Sequence, residues 1–381
     1  MLDRHYQMCS HCVMDTTDPD ITFDIAGVCN HCQKFESETR KRWFPNDEGE
    51  HLLARTISEV KKTGRGQEYD CIIGLSGGVD SSYLALKVKD FGLRPLVVHV
   101  DAGWNSELAV YNIEQVVKYC NYDLHTHVIN WDEMRDLQLA YLKAGVANQD
   151  VPQDHAFFAS LYHFAVKSNI KYVISGGNIA TESVFPAAWQ HAAMDAINLH
   201  DIHRHHGTLE LHDYKTISIL QYYLYYPFIY RMQTIRPLNY MDYDKRKAVA
   251  YLKQEIGYKE YGRKHGESVF TKFFQNYYSP VKFGYDIRRP HLSSLILSGQ
   301  KTRKDALAEL EEPLYESNEL KEDKAYIAKK LQISTQELDA YISAPNGHYS
   351  QYKNWNNRLR FLKAAQTFAE RVLQRDIKNY G

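Results

Sequence analysis

The chain has 381 residues, 44% hydrophobic and 24% charged, with 46 Lys and Arg against 47 Asp and Glu for a formal net charge of −1. That length can bury a sizeable core and more than one domain, while the balanced charge gives no overall attraction to a polyanion, so nucleic acid is an unlikely partner. No basic-plus-apolar leader opens the sequence and no apolar run approaches the ~20 residues that span a bilayer, so a cytoplasmic protein without a membrane span is expected.

The first element is CSHCVMDTTDPDITFDIAGVCNHC, 9–32. Cys9 and Cys12, then Cys29 and Cys32, form two C-x2-C pairs sixteen residues apart, within the template of a tetrahedral zinc site. Reduced cytosolic thiols in this pattern point to metal rather than disulfides. Four thiolates leave no open position for water, so Zn2+ is expected to be structural. An iron–sulfur cluster is the alternative, and His11 and His31 are alternative ligands inside the knuckles. Residues 1–45 hold too few apolar side chains to fold alone, and metal would supply the missing stability. A polar stretch around a short helical pattern at 51–62 reads as a connector.

From Tyr69 short apolar strands alternate with helical periodicity. Strands are expected at 69–75, 94–100, 124–130, 171–177 and 234–240, and helices after the first two and across 131–169, with an interruption near Pro152. This alternation predicts an α/β, doubly wound parallel sheet over 65–245, with ligands at the carboxyl ends of the strands. HRHHGTLELHD (203–213) reads as a polar loop rather than a metal site, and the tyrosine-rich 220–232 as a packing surface or partner face. Residues 246–381 read as a helical C-terminal region contributing to the substrate site, with helices across 302–344 and 354–377.

The chemistry is expected at GLSGGVDSS, 74–82. Glycines let backbone amides approach an anion, and a helix N-terminus behind them adds unpaired N–H groups, so the stretch suits phosphate. It lacks the lysine of a Walker loop and the G-x-G-x-x-G spacing of a dinucleotide fold. Its SGGxDS pattern resembles the PP-loop of the ATP pyrophosphatase superfamily, adenine-nucleotide alpha hydrolase-like in fold. That resemblance implies ATP and Mg2+ held by Ser76, Gly77, Gly78, Asp80, Ser81 and Ser82. VDAGWNSE (100–107) then offers Asp101 to adenine or ribose and Trp104 for stacking, unless Trp104 is core. SGGNIATES (175–183) offers Gly176, Asn178 and Glu182 to nucleotide or magnesium. A phosphate loop without its own lysine needs other cations. The segment 262–291 supplies Arg263, Lys264, His265, Lys272, Lys282, Arg288, Arg289 and His291, together with Glu267 and Asp286.

The cysteine pairs, SGGVDSS, KHGESVFTKFFQNYYSPVKFGYDIRR and SGQKTRKDAL (298–307) together resemble the N-acetyl sugar amidotransferases of lipopolysaccharide, O-antigen and nonulosonic-acid biosynthesis. What the resemblance implies is conversion of an acetamido group on a UDP- or CMP-linked sugar to an acetamidino group through an O-adenylyl imidate. It also implies that Lys264, His265, Glu267 and Ser268 lie near the acetamido group, and that Asp80, at the pyrophosphate and magnesium, is catalytic together with Lys264, His265 and Glu267. Ammonia would come from a separate glutaminase subunit of the histidine-biosynthesis type, paired with a cyclase-like subunit, because no glutaminase segment is recognisable in this chain. A tRNA thiolase is the rival reading, weakened by the absence of cysteine after Cys120. A non-catalytic nucleotide-binding scaffold is the other rival, and the intact Asp80 and Ser81 speak against it.

Overall fold

The computed structural model describes residues 5–261 and 266–356. After the cysteine knuckles come α1 (Asn30–Lys34) and α2 (Asp47–Thr63), then β1 (Cys71–Gly74), α3 (Val79–Asp90), β2 (Pro95–Asp101), α4 (Glu107–Cys120) and β3 (Leu124–Val128). The chain continues through α5 (Trp131–Ala144), α6 (Val151–Lys167), β4 (Tyr172–Ile174), α7 (Ile179–Glu182), α8 (Ala196–His206), β5 (Gln233–Ile235) and α9 (Lys245–Ile256). The C-terminal part holds α10 (Val269–Phe273), α11 (Ser279–Phe283), α12 (Arg288–Leu297), α13 (Arg303–Glu311), α14 (Ser317–Leu331) and α15 (Thr335–Ser343).

The five strands are all parallel and lie in the order β3-β2-β1-β4-β5. The order reverses beside β1, and in open parallel sheets that crevice is where ligands bind. Alternate residues serve opposite faces. Ile72 and Val98 pack into a core with Leu137 and Tyr141 of α5 and Ala159 and Tyr162 of α6. Cys71, Ile73 and Val97 face the other core, with residues of α2, α3, α4 and α9. Both faces are covered, which is why these strands read as near-continuous apolar runs.

Three sequence expectations change. The supposed connector is a 17-residue helix, capped by Asn46 accepting from the Gly49 amide at 3.1 Å, and its Leu53, Ile57 and Val60 are core. The interruption in 131–169 falls ahead of Pro152: Gly145 ends α5 at φ +61°, and Pro152 sits in the first turn of α6, where its missing N–H costs nothing. The histidine-rich stretch is half helix, ending α8 at His206. Two buried carboxylates of α5 then tie down the following loop. Asp136 accepts from His203 and from the Thr208 and Leu209 amides, and Glu133 from the amides of His212, Asp213 and Tyr214. These bonds give the stretch a structural account without a metal.

The tyrosine-rich segment forms a π-helical turn, Gln221–Ile229, that packs Tyr222 and Tyr226 on Tyr162 of α6 and leaves Leu224 and Ile229 exposed. Among the described residues no helix is long and apolar enough to cross a membrane. Of the expected helix at 354–377, all but the first three residues lie outside the described residues.

Candidate active site and cysteine cluster

Ser76, Gly77 and Gly78 turn the chain from the carboxyl end of β1 into α3. Gly77 adopts φ +82°, and a Cβ there would lie 2.7 Å from the Ala109 carbonyl oxygen, so this position requires glycine. Tyr258 and Tyr261 donate their hydroxyls to the Gly77 carbonyl at 3.2 and 2.9 Å. Gly78 is the N-cap of α3 and offers no side-chain acceptor, which leaves the first-turn amides available to an anion. Ser76 and Ser81 face one another with their hydroxyl oxygens 3.1 Å apart, and Ser81 donates to the Gly78 carbonyl at 3.1 Å. Ser82 is fully buried. Among the described residues its hydroxyl has no hydrogen-bond partner.

The other loops at this end of the sheet differ from expectation. Trp104 is 1% exposed, edge-on to Trp131 at 5.2 Å between centroids and tilted on Phe270 at 5.1 Å, with Lys330 over its ring. No face remains for adenine, so Trp104 is core. Asp101 accepts from the Gly103 amide at 2.8 Å and stays half-buried. Gly176 packs closely on α3: a Cβ there would meet the Asp80 carbonyl carbon and oxygen at 3.1 Å. Asn178 is turned to the backbone, accepting from the Thr181 amide at 3.0 Å and donating to the Gly176 carbonyl at 3.2 Å, so it shapes the loop instead of touching nucleotide. Glu182 is exposed beside Gly177, where Arg236 also lies. Asp80 and Glu182 both push the buried Tyr243 phenol up, burial being the largest cause. Asp80 takes a hydrogen bond from this tyrosine, and carboxylate oxygens such as those of Asp80 and Glu182 are the donor type that Mg2+ takes.

Lys264 and His265 lie outside the described residues. Glu267 does not, and the reason it reaches the loop is backbone pairing. The Ser106 amide donates to the Glu267 carbonyl at 2.8 Å, the Val269 amide to the Trp104 carbonyl at 2.9 Å, and Asn105 bridges Ser268. This short antiparallel contact holds 267–269 against the loop after β2, and the Glu267 carboxylate would stand 3.1 Å from a Cβ on Gly78. A cavity of about 810 Å³ opens there, with Gly78, Asp80 and Glu267 at one end and Lys245, Asn276 and His291 along its walls.

Arg263 also lies outside the described residues, and the described lysines and arginines of the 262–291 run are engaged by protein. Lys272 pairs with Glu319 and Asp323. Lys282 donates to the carbonyls of Tyr341, Ile342 and Ala344. Arg288 pairs with Asp286 and reaches three carbonyls at the end of α13. Among the described residues Lys245 is a cleft cation for which no carboxylate lies within ion-pair distance; its position at the start of α9 carries no motif, so sequence reading passed over it. Tyr243, Tyr258 and Tyr261 were missed for the same reason, although the last two adjoin the GRKHGES stretch.

Cys9, Cys12, Cys29 and Cys32 are fully or almost fully buried, and their sulfurs all lie within 4.8 Å of one another. The Cys12–Cys29 and Cys29–Cys32 sulfurs are 3.6 Å apart and the Cys9–Cys32 pair 3.9 Å. Sulfurs at about 2.3 Å from a tetrahedral Zn2+ stand about 3.8 Å from one another, so the donor set fits zinc. His31 is not a ligand, since its Nε2 lies 2.7 Å from Asp18. The module is clamped to the helices that wall the cleft. Arg303 donates to the Cys9 and Cys12 carbonyls at 3.0 Å, and Arg289 pairs with Asp15 at 3.0 Å and donates to the Val13 carbonyl at 2.9 Å. Cys71 and Cys120 are core residues.

Residues 267–366 match the family model described as "LPS biosynthesis protein WbpG-like, C-terminal domain". No curated protein matches the chain significantly. Solved structures with some likeness include an NMN synthetase from Francisella tularensis, at 18% identity, TM-score 0.23, covering 35% of this chain and 55% of that one. An NH3-dependent NAD synthetase from Campylobacter jejuni, in complex with nitrate, shows 16% identity and TM-score 0.27 over 35% of this chain and 58% of its own. An NAD+ synthetase from Burkholderia pseudomallei shows 18% identity and TM-score 0.28 over 59% and 94%. The chain thus spans less than two thirds of the length of the first two. Likeness at these scores adds nothing to the site, which rests on the geometry above. The chain joins a parallel five-stranded sheet, with a four-cysteine cluster ahead of it, to a C-terminal stretch, 267–366, that is similar to the WbpG-like domain.

Proposed function

We propose that the protein is an ATP-dependent amidotransferase of surface-polysaccharide biosynthesis, converting an acetamido group on a nucleotide-activated sugar to an acetamidino group. The observation that carries the reading is the meeting of the SGGVDSS loop and the Glu267 segment at one end of a single cleft. A phosphate-binding loop and a carboxylate from the WbpG-like domain are then close enough to serve one reaction.

An amide carbon is a poor electrophile and its oxygen a poor leaving group, so activation must come first. The acetamido oxygen attacks the α-phosphorus of ATP, the bond to the β,γ-diphosphate breaks, and pyrophosphate leaves. The resulting O-adenylyl imidate is attacked at carbon by ammonia. The C–O bond breaks, AMP departs with the former amide oxygen, and the nitrogen sheds a proton to give the amidine. Ser76, Gly78 and Ser81 would hold the departing pyrophosphate through hydroxyls and first-turn amides. Mg2+, bound by Asp80 and Glu182, would neutralise phosphate charge. Lys245 would add a cation along the cleft, and Glu267 would orient the amide or the incoming ammonia, with Lys264 and His265 from the adjoining segment. Zn2+ on the four thiolates would act as a staple, fixing the module that braces the cleft wall. Ammonia would be supplied by a partner glutaminase of the histidine-biosynthesis type and its cyclase-like subunit, in the cytoplasm.

The test is pyrophosphate release from ATP and Mg2+ with ammonium chloride present. Release that requires a UDP- or CMP-linked acetamido sugar supports the proposal. Release that requires tRNA instead would make the chain a thiolase-type enzyme, and no release with either would leave a nucleotide-binding scaffold.

A further inference from the structure

We infer that Tyr243 is a positioning residue for Asp80, and that the 298–303 loop links this hold to the cysteine module. The inference rests on the nucleotide reading of the glycine loop, and deepens it. Tyr243 follows β5 and is 3% exposed; its hydroxyl donates to Asp80 Oδ1. The bond crosses from the segment after β5 to the first turn of α3, so the tyrosine serves Asp80 as a donor from outside its own helix. An aspartate in the first turn of a helix can adopt several rotamers. A buried donor on one oxygen selects among them, so the carboxylate meets a metal ion already oriented.

Tyr243 is itself held. Gln300 donates through Nε2 to the Tyr243 carbonyl at 2.8 Å and accepts through Oε1 from the Lys245 amide at 3.1 Å. It therefore spans the turn that places the tyrosine. Ser298 ties the same loop to the Ala180 carbonyl in α7 at 2.8 Å, close to Glu182. Three residues past Gln300, Arg303 grips the carbonyls of Cys9 and Cys12. Hydrogen bonds thus join Arg303 to the cysteine knuckle, Gln300 to the Tyr243 backbone and the Tyr243 hydroxyl to Asp80, and the backbone of 300–303 joins the first of these to the second. Coupling between Gln300 and Tyr243 is measured by a thermodynamic cycle.

The experiment compares wild type, Tyr243→Phe, Gln300→Ala and the double variant in the full chain. MgATP affinity is read by calorimetry, and the Mg2+ concentration for half-maximal pyrophosphate release by a coupled assay. Removing one hydrogen bond to a charged group is worth about 10- to 100-fold. Tyr243→Phe is expected to weaken MgATP binding and raise the Mg2+ requirement within that range, while melting with the wild type and keeping the same KM for sugar. Gln300→Ala should move both readouts in the same direction by less, and the double variant should be no worse than Tyr243→Phe, because Gln300 acts through the tyrosine. Wild-type Mg2+ dependence in Tyr243→Phe, or full additivity in the double variant, overturns the inference. Failure of the proposed reaction looks different: wild type would bind MgATP yet turn over no acetamido sugar, and calorimetry would still decide the relay.

Discussion

The glycine loop after β1 and the cysteine knuckles are both glycine-punctuated turns, and both lean on the C-terminal helices, yet they are built for opposite ends. The loop keeps a helix N-terminus open to an 810 Å³ cleft. The knuckles bury all four sulfurs and are gripped from outside by Arg289 and Arg303. On the proposed function the first region receives a ligand that comes and goes, and the second holds one permanently. Damage to the knuckles should therefore appear in stability and damage to the loop in chemistry, and substitutions at four positions sharpen that division.

Cys29→Ser should have the largest effect. Structural zinc in small modules contributes on the order of 10 kcal/mol, so the variant should lose nearly all its zinc and the module its protection in hydrogen exchange. Full zinc occupancy would contradict the four-cysteine assignment. Trp104→Ala should cost about 3–5 kcal/mol in unfolding free energy, and Trp104→Phe much less, with ATP affinity unaltered in the Phe variant. A selective loss of ATP affinity in Trp104→Phe would restore the stacking role. Asp80→Ala should lower pyrophosphate release about 10²- to 10³-fold at an unchanged melting temperature; a collapse in melting temperature would mark Asp80 as structural.

The smallest effect concerns pH. Burial pushes the His155 imidazole down from 6.5 to about 4, with its Nδ1 on the Ala193 carbonyl and its Nε2 accepting from the Ile217 amide. His191, also buried, is pushed down to about 3. As pH falls through the ordinary histidine value the unfolded chain takes up protons that the folded chain refuses. Stability present above pH 6.5 is thus lost towards pH 4. His155→Gln should flatten that slope in urea unfolding across this window. An unchanged slope would show that His155 is not responsible.

Much of this was legible in the residues. Strand periodicity located all five strands, and the SGGxDS and C-x2-C spacings each found a local structure, because a tight turn or a metal knuckle is made by neighbours in sequence. What stayed hidden was made by distant segments. Trp104 looked available until Phe270 and Trp131 closed over it, and the lysines and arginines of 272–288 looked like phosphate ligands until α13, α14 and α15 supplied carboxylates and carbonyls. Tyr243 meets Asp80 across 163 residues, a separation no local pattern reports. Asn178 misled differently, since a residue in a loop at a strand end has the same composition whether it binds a ligand or caps its own helix.

The central claim is the conversion of an amide to an amidine, and mass spectrometry tests it directly. The protein would be incubated with ATP, Mg2+, ammonium chloride and UDP- or CMP-linked acetamido sugars. The account predicts AMP together with a sugar lighter by the difference between an oxygen atom and an NH group, carrying label when the ammonium is 15N. AMP formation without that mass change, or no change in any acetamido sugar, would contradict it.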